Sequence, residues 1–390
     1  MAHNTVGPRM VFKFFAISTR MVCIGFFAGF FLLNQSAFAV AAGRPIISGG
    51  TVKTADGQLL RGCHAHICKD QGGTLSYFFA NRNNVIKMRD QAHLNCIRIC
   101  VITPAWGGLS DFNATIPIAD SIVANCEAAG VYAIINYHGT WVYDGTSAWD
   151  IRKMWDTYAP RYKDKPFVIY ELMNETYQGA PPSGTANDWP TAQNVDIYKN
   201  HVRKWAPNNL VMGLLEPVNI TANYGPFMRD VVGPACGIDW SAGKDAFCFH
   251  AYGGDASNII ATRNVVPTMN SEWSFSAEGW YQMQLGSYSM PAEWFERNNM
   301  SWCVWQDRGP TDQLASIMNY LIPDAVAKKY TWWTNTSAQS PQASAGTLQS
   351  LPKRAGSIAV MANGRIVQRQ ASRRATDQLL TWRKIIKMER

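Results

Sequence analysis

The sequence predicts a single (β/α)8 barrel, and three observations carry that expectation. Eight short runs rich in β-branched and apolar residues alternate with longer amphipathic stretches between about residues 45 and 335. Such alternation belongs to parallel sheets whose crossovers are helices. Polar residues recur at the C-terminal ends of these runs, which is where the loops of a parallel barrel open. The doubly wound alternative lacks its sign, because no G-x-G-x-x-G follows the first run.

In chain order, the first 39 residues stand apart from that fold. Arg9, Lys13 and Arg20 precede the apolar run "MVCIGFFAGFFLL" (21–33), and Ala37-Phe38-Ala39 offers an A-x-A cleavage site before Val40. Basic, apolar and small residues in that order read as a secretory signal peptide, residues 1–39. The run has 13 residues, short of the roughly 20 of a spanning helix. A secreted or periplasmic protein, cleaved near Ala39, is therefore expected, with an uncleaved anchor as the alternative.

The strand-like runs are "LLRGCHAHI" (59–67), "LNCIRICVI" (94–102), "VYAIINYH" (131–138) and "FVIYELMN" (167–174), then "LVMGLL" (210–215), "AFCFHAY" (246–252), "VVPTMNSEW" (265–273) and "MSWCVW" (300–305). Helical periodicity fills segments between them: 82–92, 117–129, 147–164, 191–205, 276–298 and 313–329. The expected catalytic domain spans 40–335. After Trp333, "TNTSAQSPQASAGTLQS" (334–350) has little to bury and reads as a linker. The hairpin signal Asn363-Gly364 and the basic amphipathic stretch "TDQLLTWRKIIKMER" (376–390) follow it. Residues 336–390 are thus expected to form a linker and basic tail.

The chain's formal charge of +8 is unevenly spread. Residues 1–39 hold three basic residues and no acid, and 336–390 hold ten basic residues and two acids. That leaves 23 basic against 26 acidic residues over 40–335. The body is nearly neutral and carries no nucleic-acid footprint. A weak contact with an anionic surface is expected of the tail alone.

Eight cysteines remain beyond Cys23 and follow no small-domain disulfide framework. Cys96, Cys248 and Cys303 lie in strand-like runs and read as small buried side chains. Cys63 and Cys68 are close enough in sequence to bridge. Cys63, His64, His66 and Cys68 cluster as well, but no second ligand pair follows at a metal-binding spacing. No metal or cofactor is expected.

The chemistry lies at the strand ends. The second run supplies Arg98, the third Asn136 and His138, and the fourth Asn174 and Glu175. The sixth supplies His250 and Tyr252, the seventh Glu272 and the eighth Trp305. Two carboxyl groups across a barrel mouth suit hydrolysis of a glycosidic bond. One protonates the leaving oxygen while the other faces the developing oxocarbenium centre. Such an acid should be protonated at rest, in the drier place or nearer negative charge, and such a nucleophile should be anionic beside a cation such as Arg98. Glu171, four residues before Glu175, is expected to be a structural partner inside the barrel. Fifteen Trp and 15 Tyr suit carbohydrate stacking. Trp106, Trp141, Trp149, Trp189 and Trp273, in or near loops, are equally suited to sugar subsites or to loop packing. His93 and His201 read as surface or core residues.

The motifs "LRG" (60–62), "LNCIRI" (94–99), "INYHG" (135–139), "YELMNE" (170–175), "FHAY" (249–252), "NSEW" (270–273) and "SWCVW" (301–305) resemble, in order, those of glycoside hydrolase family 5. The resemblance spans about 60–306 and is of the cellulase type. It implies a retaining mechanism with Glu175 as acid/base and Glu272 as nucleophile. By the same resemblance, Asn174 binds the sugar 2-hydroxyl, and Arg98 and Tyr252 hold the nucleophile. His138 and His250 line the reacting sugar's site, and Trp305 is its platform. Three departures bear on the subfamily: Thr176 in place of Pro, Ser271 in place of Gly, and Asn136 in place of Asp. The expected activity is hydrolysis of a β-1,4-linked polysaccharide, most simply by an endoglucanase. The alternatives are a β-mannanase or other β-glucan hydrolase, a catalytically silent carbohydrate-binding barrel, and, more weakly, a metal-dependent hydrolase.

Overall fold

The computed structural model describes residues 43–69, 78–139, 143–176, 191–274, 291–305, 313–329 and 333. They all belong to one compact unit, residues 1–339. The expected signal peptide, linker, hairpin and basic helix lie outside the described residues.

Eight parallel strands form the centre: β1 (Arg61–Ile67), β2 (Cys96–Ile102), β3 (Tyr132–His138), β4 (Val168–Glu171), β5 (Val211–Met212), β6 (Phe247–His250), β7 (Thr268–Ser274) and β8 (Trp302–Trp305). Each falls within one of the eight apolar runs, allowing for a residue at the end of β7. Neighbours in space are neighbours in sequence from β1 to β5 and from β6 to β8, and β8 pairs with β1. The remaining seam, β5 to β6, is joined by two backbone bonds. The Val211 N–H donates to the Lys244 carbonyl at 2.9 Å, and the Ala246 N–H donates to the Val211 carbonyl at 3.0 Å. The sheet is therefore a near-closed barrel, an arrangement that removes the unpaired edges of an open sheet.

Helical segments follow every strand: Arg82–Ala92, Thr115–Ala129, Ile151–Tyr162, Thr191–Arg203, Tyr224–Cys236, Ala256–Arg263, Pro291–Arg297 and Ile317–Ala327. Local chemistry sets several boundaries. Asn81, Asp150 and Asp255 each accept a backbone N–H two residues on, which satisfies a donor the first helical turn leaves open. Thr115–Ala129 stops at Gly130, whose φ of 69° places it in the left-handed region favoured at helix C-termini. The helices 224–236 and 256–263 were not expected from periodicity. The first carries Gly225, Pro226, Gly233 and Pro234, and the second is only eight residues long. Of the expected helix 276–298, the described part is Pro291–Arg297.

A hairpin of Ile46–Ser48 and Thr51–Lys53 caps the N-terminal end of the barrel. It is tied to β7 by the Thr268 N–H donating to the Gly50 carbonyl, and to the start of β8 through Ser301. That end is closed, leaving the C-terminal end as the mouth. Among the described residues no helix is long and apolar enough to cross a membrane.

The Cys63–Cys68 bridge that the sequence leaves open is not formed, and the eight cysteines from Cys63 to Cys303 are all buried. Cys63 packs outward against Met88, and Cys68 lies just beyond β1. Five residues of extended chain separate their Cα atoms by about 16 Å, more than twice what a disulfide spans.

Candidate active site

Alternation along β2 turns Cys96, Arg98 and Cys100 to the barrel axis while Ile97, Ile99 and Val101 pack under the helices. Register then decides the neighbours. His64 of β1 and Ile134 of β3 flank Arg98, while His66, Cys100, Asn136 and Glu171 run across the next level toward the mouth. A fully buried guanidinium with five donors requires acceptors around it. Arg98 Nε and Nη2 donate to the two oxygens of Glu171 at 2.7 and 2.6 Å. Nη1 donates to Glu272 Oε2 at 2.6 Å, and Nη2 to Asn174 Oδ1 at 2.9 Å. One cation on β2 thus ties together the ends of β4 and β7, and Glu171 is the expected internal partner.

Glu272 receives a second donor, the Tyr252 hydroxyl, at Oε1 and 2.7 Å. Burial, and after it Glu272, raise Tyr252 well above its ordinary value, so the phenol keeps the proton it donates. Glu175 sits just beyond β4 with a φ of 46°, a left-handed conformation seldom taken by a residue with a branched-off side chain. Its Oε1 lies 2.8 Å from His250 Nδ1, which is also 3.7 Å from Glu272 Oε1. One oxygen of Glu175, one of Glu272 and a ring nitrogen of His250 all lie within 4.8 Å of one another. The acid candidate is the wetter of the two carboxyls, 18% exposed against 6% for Glu272. Of the two settings expected for the acid, the drier place is not the one found: Glu175 lies on the mouth side of His250, close to the carboxyl of Glu272, which is drawn inward by Arg98.

Trp305 stands at the end of β8, stacked on His138 at 5.1 Å and 12° and against His66 at 4.4 Å. His138 Nδ1 is 2.9 Å from Asn136 Oδ1, so the amide orients the imidazole where an Asp was expected. The other tryptophans divide. Trp149 is buried against Phe112 with its Nε1–H on the Ser110 carbonyl, and Trp273 is buried against Trp302. Both are packing residues. Trp106 remains partly exposed beside His138, whereas Trp141 and Trp189 lie outside the described residues. His201 pairs with Asp156, and His93 ends a helix in the left-handed region; neither approaches the site.

Glu216 went unnoticed in the sequence, although "LVMGLLEP" (210–217) repeats the pattern of an apolar run ending in an acid. It is fully buried. Its Oε1 lies 2.8 Å from His250 Nε2 and accepts the Ser271 hydroxyl. Burial would raise this carboxyl, but His250, Arg98 and the Ser271 hydroxyl together hold it down at about 2. Glu171 behaves oppositely. Burial and Glu216 push it up to about 8 against the pull of Arg98. Burial would lower His250, but Glu272 and Glu216 hold it well above its ordinary value. The site therefore sets four carboxyl groups, Glu171, Glu175, Glu216 and Glu272, against the two cations Arg98 and His250.

Two groups of side chains converge closely enough to suit an ion: Glu171 with Glu216 and Cys248, and Glu175 with His250 and Glu272. In the second group His250 and Glu175 are in hydrogen-bond contact, and Glu272 is held by Arg98 and Tyr252. Cys63, His64, His66 and Cys68 do not converge, since His64 and His66 face the barrel interior while Cys63 faces a helix.

Residues 60–338 match the family model described as cellulase, glycosyl hydrolase family 5. Among solved structures, one from Cytophaga hutchinsonii is 16% identical and superposes with a TM-score of 0.52 over 75% of this chain and 97% of that one. The catalytic domain of Thermobifida fusca endoglucanase Cel5A is 15% identical, with a TM-score of 0.48 over 76% and 98%. A β-mannanase from Streptomyces thermolilacinus is 16% identical, with a TM-score of 0.46 over 69% and 87%. No curated protein sequence matches.

Proposed function

The chain belongs to the cellulase family, glycosyl hydrolase family 5, and on that premise we propose that Glu175 and Glu272 are the acid/base and nucleophile of an exported endo-β-1,4-glucanase. It is a retaining glycoside hydrolase, and what remains is how its residues divide the work. The observation that carries the assignment is the approach of a Glu175 oxygen to within 4.8 Å of a Glu272 oxygen. Retaining enzymes hold their carboxyls about 5–5.5 Å apart, whereas inverting ones need about 6.5–9.5 Å to admit a water.

In the first step Glu272 attacks the anomeric carbon as the bond to the leaving oxygen breaks. Glu175 gives that oxygen its proton, so the departing chain leaves neutral and the sugar is esterified to Glu272. In the second step Glu175 takes a proton from water, the resulting oxygen attacks the same carbon, and the Glu272 ester breaks. Arg98 and Tyr252 occupy one lone pair on each oxygen of Glu272, which supports an anion aimed by two fixed donors. Asn174 gives its side-chain oxygen to Arg98, which leaves its amide N–H group to donate to the sugar 2-hydroxyl. Trp305, backed by His138 and His66, offers a flat face for stacking.

The signal-peptide pattern of residues 1–39 supports export, and the charge of residues 336–390 supports a separate tail. Reducing-sugar release from soluble β-1,4-glucan, mixed-linkage glucan, xyloglucan and mannan tests the substrate assignment. Fastest release from β-1,4-glucan, with an early fall in viscosity, is expected. Preference for mannan would make the enzyme a mannanase, and folded protein inactive on every polymer would indicate a silent binding barrel.

A further inference from the structure

Glu216 has no place in the site that the family motifs describe, yet it lies directly behind His250. Its Oε1 is 2.8 Å from His250 Nε2, and an ionised carboxylate only accepts. The other group near Nε2 is Arg98 Nη2 at 3.5 Å, and a guanidinium only donates. The ring hydrogen on that side is therefore on Nε2, held by Glu216. On the other side Nδ1 is 2.8 Å from Glu175 Oε1. Two lone pairs repel at that distance, as do two hydrogens, so one proton occupies the contact whichever atom holds it.

We propose that Glu216 is a positioning residue for the acid step: it holds the Nε2–H of His250, turns Nδ1 toward Glu175, and so keeps one proton in the His250–Glu175 contact for delivery to the leaving oxygen. The inference rests on Glu175 being the acid/base. When the proton resides on Nδ1, it passes to Glu175 as Glu175 protonates the leaving oxygen, and His250 is left neutral with its Nε2–H in place. The groups facing His250 are Glu175 beyond β4, Glu216 beyond β5, Glu272 of β7 and Arg98 of β2, with Cys248 and Tyr252 from its own strand. Glu216 is the anion on the side away from the substrate, and the Ser271 hydroxyl keeps it aimed. Removing the negative charge would make the shared proton easier to lose.

The test is Glu216→Gln in the full chain. Glutamine keeps the volume and an acceptor for Nε2–H but has no charge. The alkaline limb of kcat/KM on β-1,4-glucan should move to lower pH by about one unit or more, the scale of a charge a few ångströms away. KM below that limb should change little. A limb that stays in place, or an equal loss at every pH, would overturn the inference. Nitrogen-15 NMR of the wild-type histidines gives a second reading that needs no variant. His250 should keep its Nε2 hydrogen across about pH 5 to 8, where an ordinary histidine titrates, and a bare Nε2 in that range would overturn the proposal. An unmoved limb in a Glu216→Gln enzyme that still works by retention defeats this inference alone. Wild-type turnover that does not depend on Glu175 defeats the reading beneath it.

Discussion

Glu175 is held in a left-handed backbone conformation at φ 46°, a strain that a folded chain keeps only where its surroundings impose it. Here the Asn174 N–H is anchored to the Tyr137 carbonyl of β3, and the carboxyl is anchored to His250. Glu272 is fixed differently, by donors on both oxygens, and the two roles make different variants diagnostic. Glu272→Ala should abolish turnover of polymer and of aryl glycosides alike, because no nucleophile remains. Glu175→Ala should lose polymer hydrolysis but spare the first step on aryl glycosides whose leaving group needs no proton, visible as a burst. Near-wild-type turnover by Glu272→Ala would refute the assignment. Arg98, His250, Tyr252 and Glu272 were legible in the sequence because each interrupts or ends an apolar run, Arg98 within β2 and the others near a strand end. Glu216 ends an apolar run in the same way, but its aim at His250 depends on the turn at Gly213 and Leu215, at φ of 81° and 55°, which the pattern does not show. Nor could any one-dimensional pattern show that a wetter Glu175 and a drier Glu272 share one histidine.

At the scale of elements, β5 is the weakest and most consequential strand. Only two residues long, it closes the barrel by two backbone bonds and carries the turn that aims Glu216. Gly213 makes that turn feasible. A Cβ there would lie 2.7 Å from the Leu172 backbone nitrogen and 2.9 Å from Glu171 Cγ, at a φ that side chains disfavour. Gly213→Ala should therefore destabilise the fold by about 2 kcal/mol, and should lower activity further by displacing Glu171 from Arg98. Chemical denaturation with activity measured on the folded fraction separates these losses, and an unchanged midpoint would discount the turn. The eight strands were readable because each is a short, mostly apolar run, its helix-facing side apolar even where its inner side carries residues such as His64, Arg98 and Asn136. The helix at 224–236 was not, because its two Gly-Pro pairs hide the periodicity that the packed barrel nonetheless enforces.

At the scale of the whole molecule, a nearly neutral catalytic body is joined to a strongly basic C-terminal segment. The family match ends at residue 338, and the last described residue is Trp333. Deleting residues 351–390 should leave the melting temperature and turnover of soluble β-glucan almost unchanged. If the tail serves as an anionic-surface anchor, the deletion should also abolish salt-sensitive sedimentation with anionic vesicles. Equal sedimentation of both forms would discard the anchor, and loss of activity would show that the tail belongs to the barrel. The central claim concerns the barrel alone: two carboxyls set close enough for one to bond to the sugar while the other handles the proton. Proton NMR of the sugar ends released in the first moments of hydrolysis of a β-1,4-glucan tests it directly. The account predicts β-anomers at the earliest times, with α-anomers appearing only as mutarotation proceeds. Early α-anomers would contradict it.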